Sequence, residues 1–152
     1  MGKINIKILK DEAEQLYLTG DYYCSEAIIA TIRKHFDTSM PEQAIAMGSG
    51  FPVGVGGAMC ICGAVSGGVI ALGYFFGRVS PKDDKVNKAM ELSKELHDFF
   101  KSKNKALCCR TLCKGMEFGT QIHMEQCARL TGEVAVKTAE IIARELNIVL
   151  EK

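Results

Sequence analysis

From Gln43 to Gly77 no residue of this chain carries a charge. A run that long is not a solvated helix; it folds by being enclosed, either in lipid or in protein. Its composition chooses between them. Pro52 and glycines at 48, 50, 54, 56, 57, 63, 67, 68, 73 and 77 interrupt it, so it does not read as a continuous membrane span. We read a glycine-rich loop from Pro52 to Gly57, then an apolar helix from about Ala58 to Phe76 buried in the middle of a small helical domain. On that helix Gly63 and Gly67, like Ala64 and Gly68, fall one turn apart, and small residues at that spacing let another helix approach closely.

Helical spacing dominates the rest. Leu9, Ala13 and Leu16 recur at three to four residues, and Gly20 closes that helix. Asp21 is placed to cap the next, which carries Cys24, Ile28, Thr31 and His35 in one stripe. Ser39 and Glu42 have capping-box spacing ahead of a short helix over 41–48. Ser80-Pro81 opens an amphipathic helix with Val86, Met90, Leu96, Phe99 and Phe100 facing inward. A short helix follows from Cys108 to Met116. A last one runs from about His123 to Val149, with Ala128, Ala135, Ala139, Ile142, Leu146 and Val149 on one side and a kink at Gly132. Ile4, Ile6 and Ile8 alternate too briefly for a convincing strand. The expectation is an all-α fold: one domain over residues 1–152, a compact multi-helix bundle around a central Gly-rich apolar helix.

Lys and Arg number 19 against 18 Asp and Glu, a formal charge of +1. Phosphate binding needs a basic face, so nucleic acid is not the expected partner. The N-terminus has no apolar core of a signal peptide and no small-residue cleavage site, which predicts a cytoplasmic protein without a membrane span. The small-residue face also suits a homodimer. The loop Gly54–Gly57 lacks a preceding strand and the Lys-Ser/Thr of a nucleotide-binding loop, so nucleotide is not expected there either.

Seven cysteines in 152 residues need a chemical reason. An odd count without a secretion signal argues against a disulfide framework. No Cys-x-x-Cys occurs, which removes the usual dithiol and zinc-knuckle patterns. What remains is single thiols near helix ends on separate segments. Cys24 opens its helix, in the positive field that favours a thiolate. Cys60 and Cys62 are read in the first turns of the apolar helix, about 200° apart and so facing different ways. Cys108, Cys109 and Cys113 follow three lysines, and Cys127 lies one turn beyond His123. Converged thiols of this kind make a thiolate cage suited to an iron–sulfur cluster or to zinc. Cys60, Cys108 and Cys113 read as packing or auxiliary thiols.

The chain resembles a family of redox-active proteins named for their own pattern: a cysteine, then Gly-Cys-Ala-x-x-Gly or Cys-Gly-Ala-x-x-Gly, then two more cysteines. Cys24-Ser25-Glu26-Ala27 matches the first cysteine, and Cys62-Gly63-Ala64-Val65-Ser66-Gly67 the centre. Cys109-Arg110-Thr111-Leu112 matches the third, with Cys108 competing for that place, and Cys127 the fourth. The likeness spans about residues 8 to 145. It implies a small helical protein in which Cys24, Cys62, Cys109 and Cys127 bind an iron–sulfur cluster or similar metal centre and exchange electrons with a redox partner protein. Two alternatives use the same cysteines: a thiol–disulfide oxidoreductase or redox sensor, and a structural zinc-binding module. Neither a substrate nor a cluster type follows from the resemblance.

Overall fold

The computed structural model describes residues 2–152. The chain folds as an all-α protein. Helices α1 (Ile6–Leu18), α2 (Cys24–Phe36), α3 (Gln43–Ala46), α4 (Gly63–Phe76), α5 (Val86–Asn104), α6 (Cys109–Leu112) and α7 (Gln121–Leu146) follow in order. A strand at each end, β1 (Ile4–Asn5) and β2 (Leu150–Glu151), pairs parallel with Ile4 opposite Leu150. The alternating isoleucines at the N-terminus thus divide: Ile4 enters the pairing, while Ile6 and Ile8 fall in α1, whose first turn is capped by the Asn5 side chain accepting from the Ile8 amide.

The apolar stripes explain the packing. Leu9 and Ala13 of α1, Ile28, Ile29 and Ile32 of α2, Leu92, Leu96 and Phe100 of α5, and Val134, Ala135, Ala139, Ile141 and Ile142 of α7 are all buried. Helix α7, 26 residues and so about 39 Å long, touches α1, α2, α4 and α5. Helix α4 lies against α2, α5 and α7, and nine of its residues are buried. Its uncharged sequence is therefore sheltered by protein. Among the described residues no helix is long and apolar enough to cross a membrane.

Several boundaries differ from the sequence reading. The apolar helix begins at Gly63, not Ala58, because residues before it are left-handed: Val53, Val55, Met59 and Ile61 all have positive φ. Helix α2 is capped at Tyr23, whose amide donates to the Glu26 carboxylate, and not at Asp21. Ser39 spends its amide and hydroxyl on Asp37 and not on a capping box. Helix α5 starts at Val86, after a turn that contains Pro81, and Met90 faces solvent while Leu92 enters the core. The last helix stops at a left-handed Asn147, leaving Leu146 and Val149 exposed.

Candidate thiol and metal site

Helices α2, α4 and α6 each begin at one end of the bundle, and each begins with a cysteine. Cys24 is the first residue of α2, Cys62 caps α4, and Cys109 is the first residue of α6. With Cys127 of α7 they line one cavity of about 660 Å³. Cys113 lines it too, although the sequence suggested only an auxiliary thiol; it lies one helical turn beyond Cys109, which was the available signal. Cys60 is exposed, and Cys108 caps α6; neither lines the cavity. Cys60 and Cys62 do not share a helix, since both precede the first turn of α4. Of the adjacent pair, Cys109 is the one that faces the cavity.

Local backbone contacts bring these segments together. The Cys62 amide donates to the Leu107 carbonyl at 2.6 Å and the Arg110 amide to the Met59 carbonyl at 3.2 Å. These two bonds hold the start of α6 against the start of α4. The motif glycines make the other approach possible. A Cβ on Gly63 would lie 2.6 Å from Cys24 Sγ, and one on Gly67 would lie 2.5 Å from the Ser25 carbonyl oxygen. The first turn of α2 therefore sits where those side chains would be. The Ser25 hydroxyl fixes it further by donating to the Gly48 carbonyl at 2.7 Å.

Backbone amides near three of the sulfurs favour their charged form: those of Cys24 and Ser25 for Cys24, that of Ala64 for Cys62, and those of Gly63 and Cys109 for Cys109. Burial works against ionisation. It pushes the Cys24 thiol up to about 12, with the negative charges of Cys127 and Cys109 adding to it. The Cys127 thiol is likewise pushed up to about 12, mainly by burial. Cys62 and Cys109 behave as a pair. The nearness of the two sulfurs raises Cys62 and lowers Cys109, so Cys109 is the first of the two to ionise.

At the α7 side, Cys127 Sγ lies 3.5 Å from His123 Nε2. The Gly119 amide donates to His123 Nδ1 at 3.2 Å. Nδ1 is thereby the acceptor, and the neutral ring carries its hydrogen on Nε2, directed at the Cys127 sulfur. Burial lowers the His123 pKa and favours that neutral form. Tyr17 of α1 lines the cavity beside Cys127, and burial followed by Cys127 pushes the phenol well above its ordinary range. Tyr17 was not foreseen; it lies one turn beyond Ala13, on the buried face of α1. Cys113, His123 and Cys127 bring their ligand atoms within 4.8 Å of one another, a group able to hold a metal ion. Among the described residues no comparable group forms from Cys24, Cys62 and Cys109.

Residues 22–141 match the family described as "Putative redox-active protein (C_GCAxxG_C_C)". The chain belongs to this family. The matched segment contains all four cysteines that face the cavity at motif positions, together with Gly63 and Gly67. Comparisons with curated proteins and with solved structures give no match. The coarse conclusion stands on the family and the geometry together: this is a redox-active-family protein whose thiols include a group able to hold a metal.

Proposed function

We propose that Cys24, Cys62, Cys109 and Cys127 ligate an iron–sulfur cluster through which the chain passes electrons to and from a partner protein. One observation carries this reading: four thiols from four separate segments face a single cavity. The donor set suits the group. An amide aimed at a neutral thiol gains little, whereas one aimed at a thiolate gains a charge-assisted bond. Burial opposes free thiolates at Cys24 and Cys127, and a bound cation supplies the compensating charge. A single zinc ion holds its sulfurs at about 2.3 Å, and so within about 4 Å of one another. Among the described residues the four motif thiols do not close to such a group, whereas a cluster would spread its four cysteines over more than one iron. When bound, the cluster supplies one-electron chemistry. The chain sets Tyr17 and His123 beside the Cys127 sulfur, donors of the kind that tune a cluster's potential.

Anaerobic purification with an absorption spectrum, iron and acid-labile sulfide on one sample tests the proposal. A coloured protein with both elements is expected, and Cys62→Ser is expected to lose them. Colourless protein carrying one zinc per chain would replace the cluster with a structural metal.

The lowered Cys109 thiol beside Cys62 favours a second reading, thiol–disulfide chemistry in the metal-free chain. Cysteine mapping after mild oxidation decides it: a Cys62–Cys109 disulfide supports it, and its absence removes it.

A further inference from the structure

Cys113 has no place in the family's cysteine pattern, yet it faces the cavity and is buried to 6% exposure. Its sulfur is within 4.8 Å of Cys127 Sγ. Each sulfur also has a nitrogen donor from α7. Gln126 Nε2 reaches Cys113 Sγ at 3.7 Å, and His123 Nε2 reaches Cys127 Sγ at 3.5 Å. The same Gln126 nitrogen donates to the Leu112 carbonyl at 2.7 Å. That bond clamps the end of α6 onto α7 and fixes the two sulfurs beside each other.

In the metal-free chain the Gly119 amide donates to His123 Nδ1, so the neutral ring carries its hydrogen on Nε2, beside the Cys127 sulfur. Without a metal, the group Cys113–His123–Cys127 thus presents two adjacent thiols and an N–H donor beside one of them.

We propose that Cys113 and Cys127 are a redox-active dithiol that exchanges with low-molecular-weight disulfides admitted to the cavity. Burial holds both thiols above the ordinary range, so the exchange draws on a small thiolate fraction: one of the two, as its thiolate, attacks a sulfur of the small disulfide. The sulfur–sulfur bond breaks, one small thiolate leaves, and a mixed disulfide remains on the protein. The second cysteine gives up its proton and attacks the protein sulfur of that mixed disulfide, expelling the other small thiolate. Two protein thiols are oxidised to one disulfide, one small disulfide is reduced to two thiols, and the two cysteine protons end on them. The reaction needs no metal and does not rest on the cluster reading. Where a cluster is present, forming this bond takes Cys127 away from it.

The test uses the full chain, reduced and freed of metal, then treated with oxidised glutathione and mapped by peptide mass spectrometry after alkylation. A peptide linked through Cys113 and Cys127 is expected as the major product. Cys113→Ser is expected to accumulate glutathione on Cys127, since the resolving thiol is gone, and Cys62→Ser is expected to keep the Cys113–Cys127 link. A map showing only Cys62–Cys109, or Cys127 joined to Cys24, overturns the proposal, as does a chain that stays fully reduced. Because the map is read on wild-type chain first, a poorly folding variant does not decide the matter. Iron content of the purified protein reports on the cluster separately.

Discussion

Two neighbouring buried thiols do not ionise alike, and Cys62 and Cys109 show the consequence. Cys62 keeps the proton in its buried position, and Cys109 is held below the ordinary thiol range. Cys24 and Cys127 are driven the other way, to about 12. In the reduced, metal-free chain Cys109 should therefore react with iodoacetamide at a pH where Cys24 and Cys127 remain protonated. Cys62→Ala, which removes the neighbouring thiol, should move the reactivity of Cys109 to higher pH. Site-resolved alkylation rates by mass spectrometry check both statements, and uniform reactivity of all three thiols would contradict the pairing.

Between elements, the deciding residues are the ones without side chains. A Cβ on Gly67 would lie 2.5 Å from the Ser25 carbonyl oxygen and 2.8 Å from the Ser25 Cα. Both atoms are backbone, so α2 would have to back away from α4 and carry Cys24 with it. Gly67→Ala is expected to cost about 3 kcal/mol, the upper part of the range for overpacking. Gly73 lies in the same helix with nothing within 4 Å of its Cβ position. There alanine is expected to stabilise by about 0.5–1 kcal/mol through backbone entropy. Urea unfolding of both variants in the same metal state measures the difference, and equal effects would refute the packing account. The family's Cys-Gly-Ala-x-x-Gly pattern thus has two physical parts: Gly63 clears space for the Cys24 sulfur, and Gly67 clears space for the turn that carries it.

For the whole molecule, the buried thiols link stability to pH. Cys24 and Cys127 rise from 9.0 to about 12 on folding, so the folded chain retains protons that the unfolded chain releases. The sign follows: the contribution is fully present below about pH 9 and is lost as pH rises toward 12. Each group steepens the loss by about 1.4 kcal/mol per pH unit. Metal-free, reduced protein should accordingly unfold at lower denaturant as pH rises from about 8 to about 10.5, and less steeply as Cys24→Ala. Metal-loaded protein should lose this dependence, because ligating sulfurs carry no proton to release. Denaturant midpoints across that range measure it, and a flat profile for the metal-free chain would count against thiols buried in neutral form.

By itself the sequence determined the helical class, the burial of the uncharged stretch, the family, the place of Cys24 at the opening of its helix, and the close helix approach that Gly63 and Gly67 allow. These are local properties, set by apolar period, glycine spacing and motif. Cys109 against Cys108, the inclusion of Cys113, and the arrival of Tyr17 and His123 at Cys127 were decided only by the tertiary structure. So was the start of α4 at Gly63. The left-handed run before it is held by bonds to residues nearly fifty positions away, Cys62 to Leu107 and Arg110 to Met59. Periodicity reports which face of a segment is apolar; it does not report which other segment that face will meet.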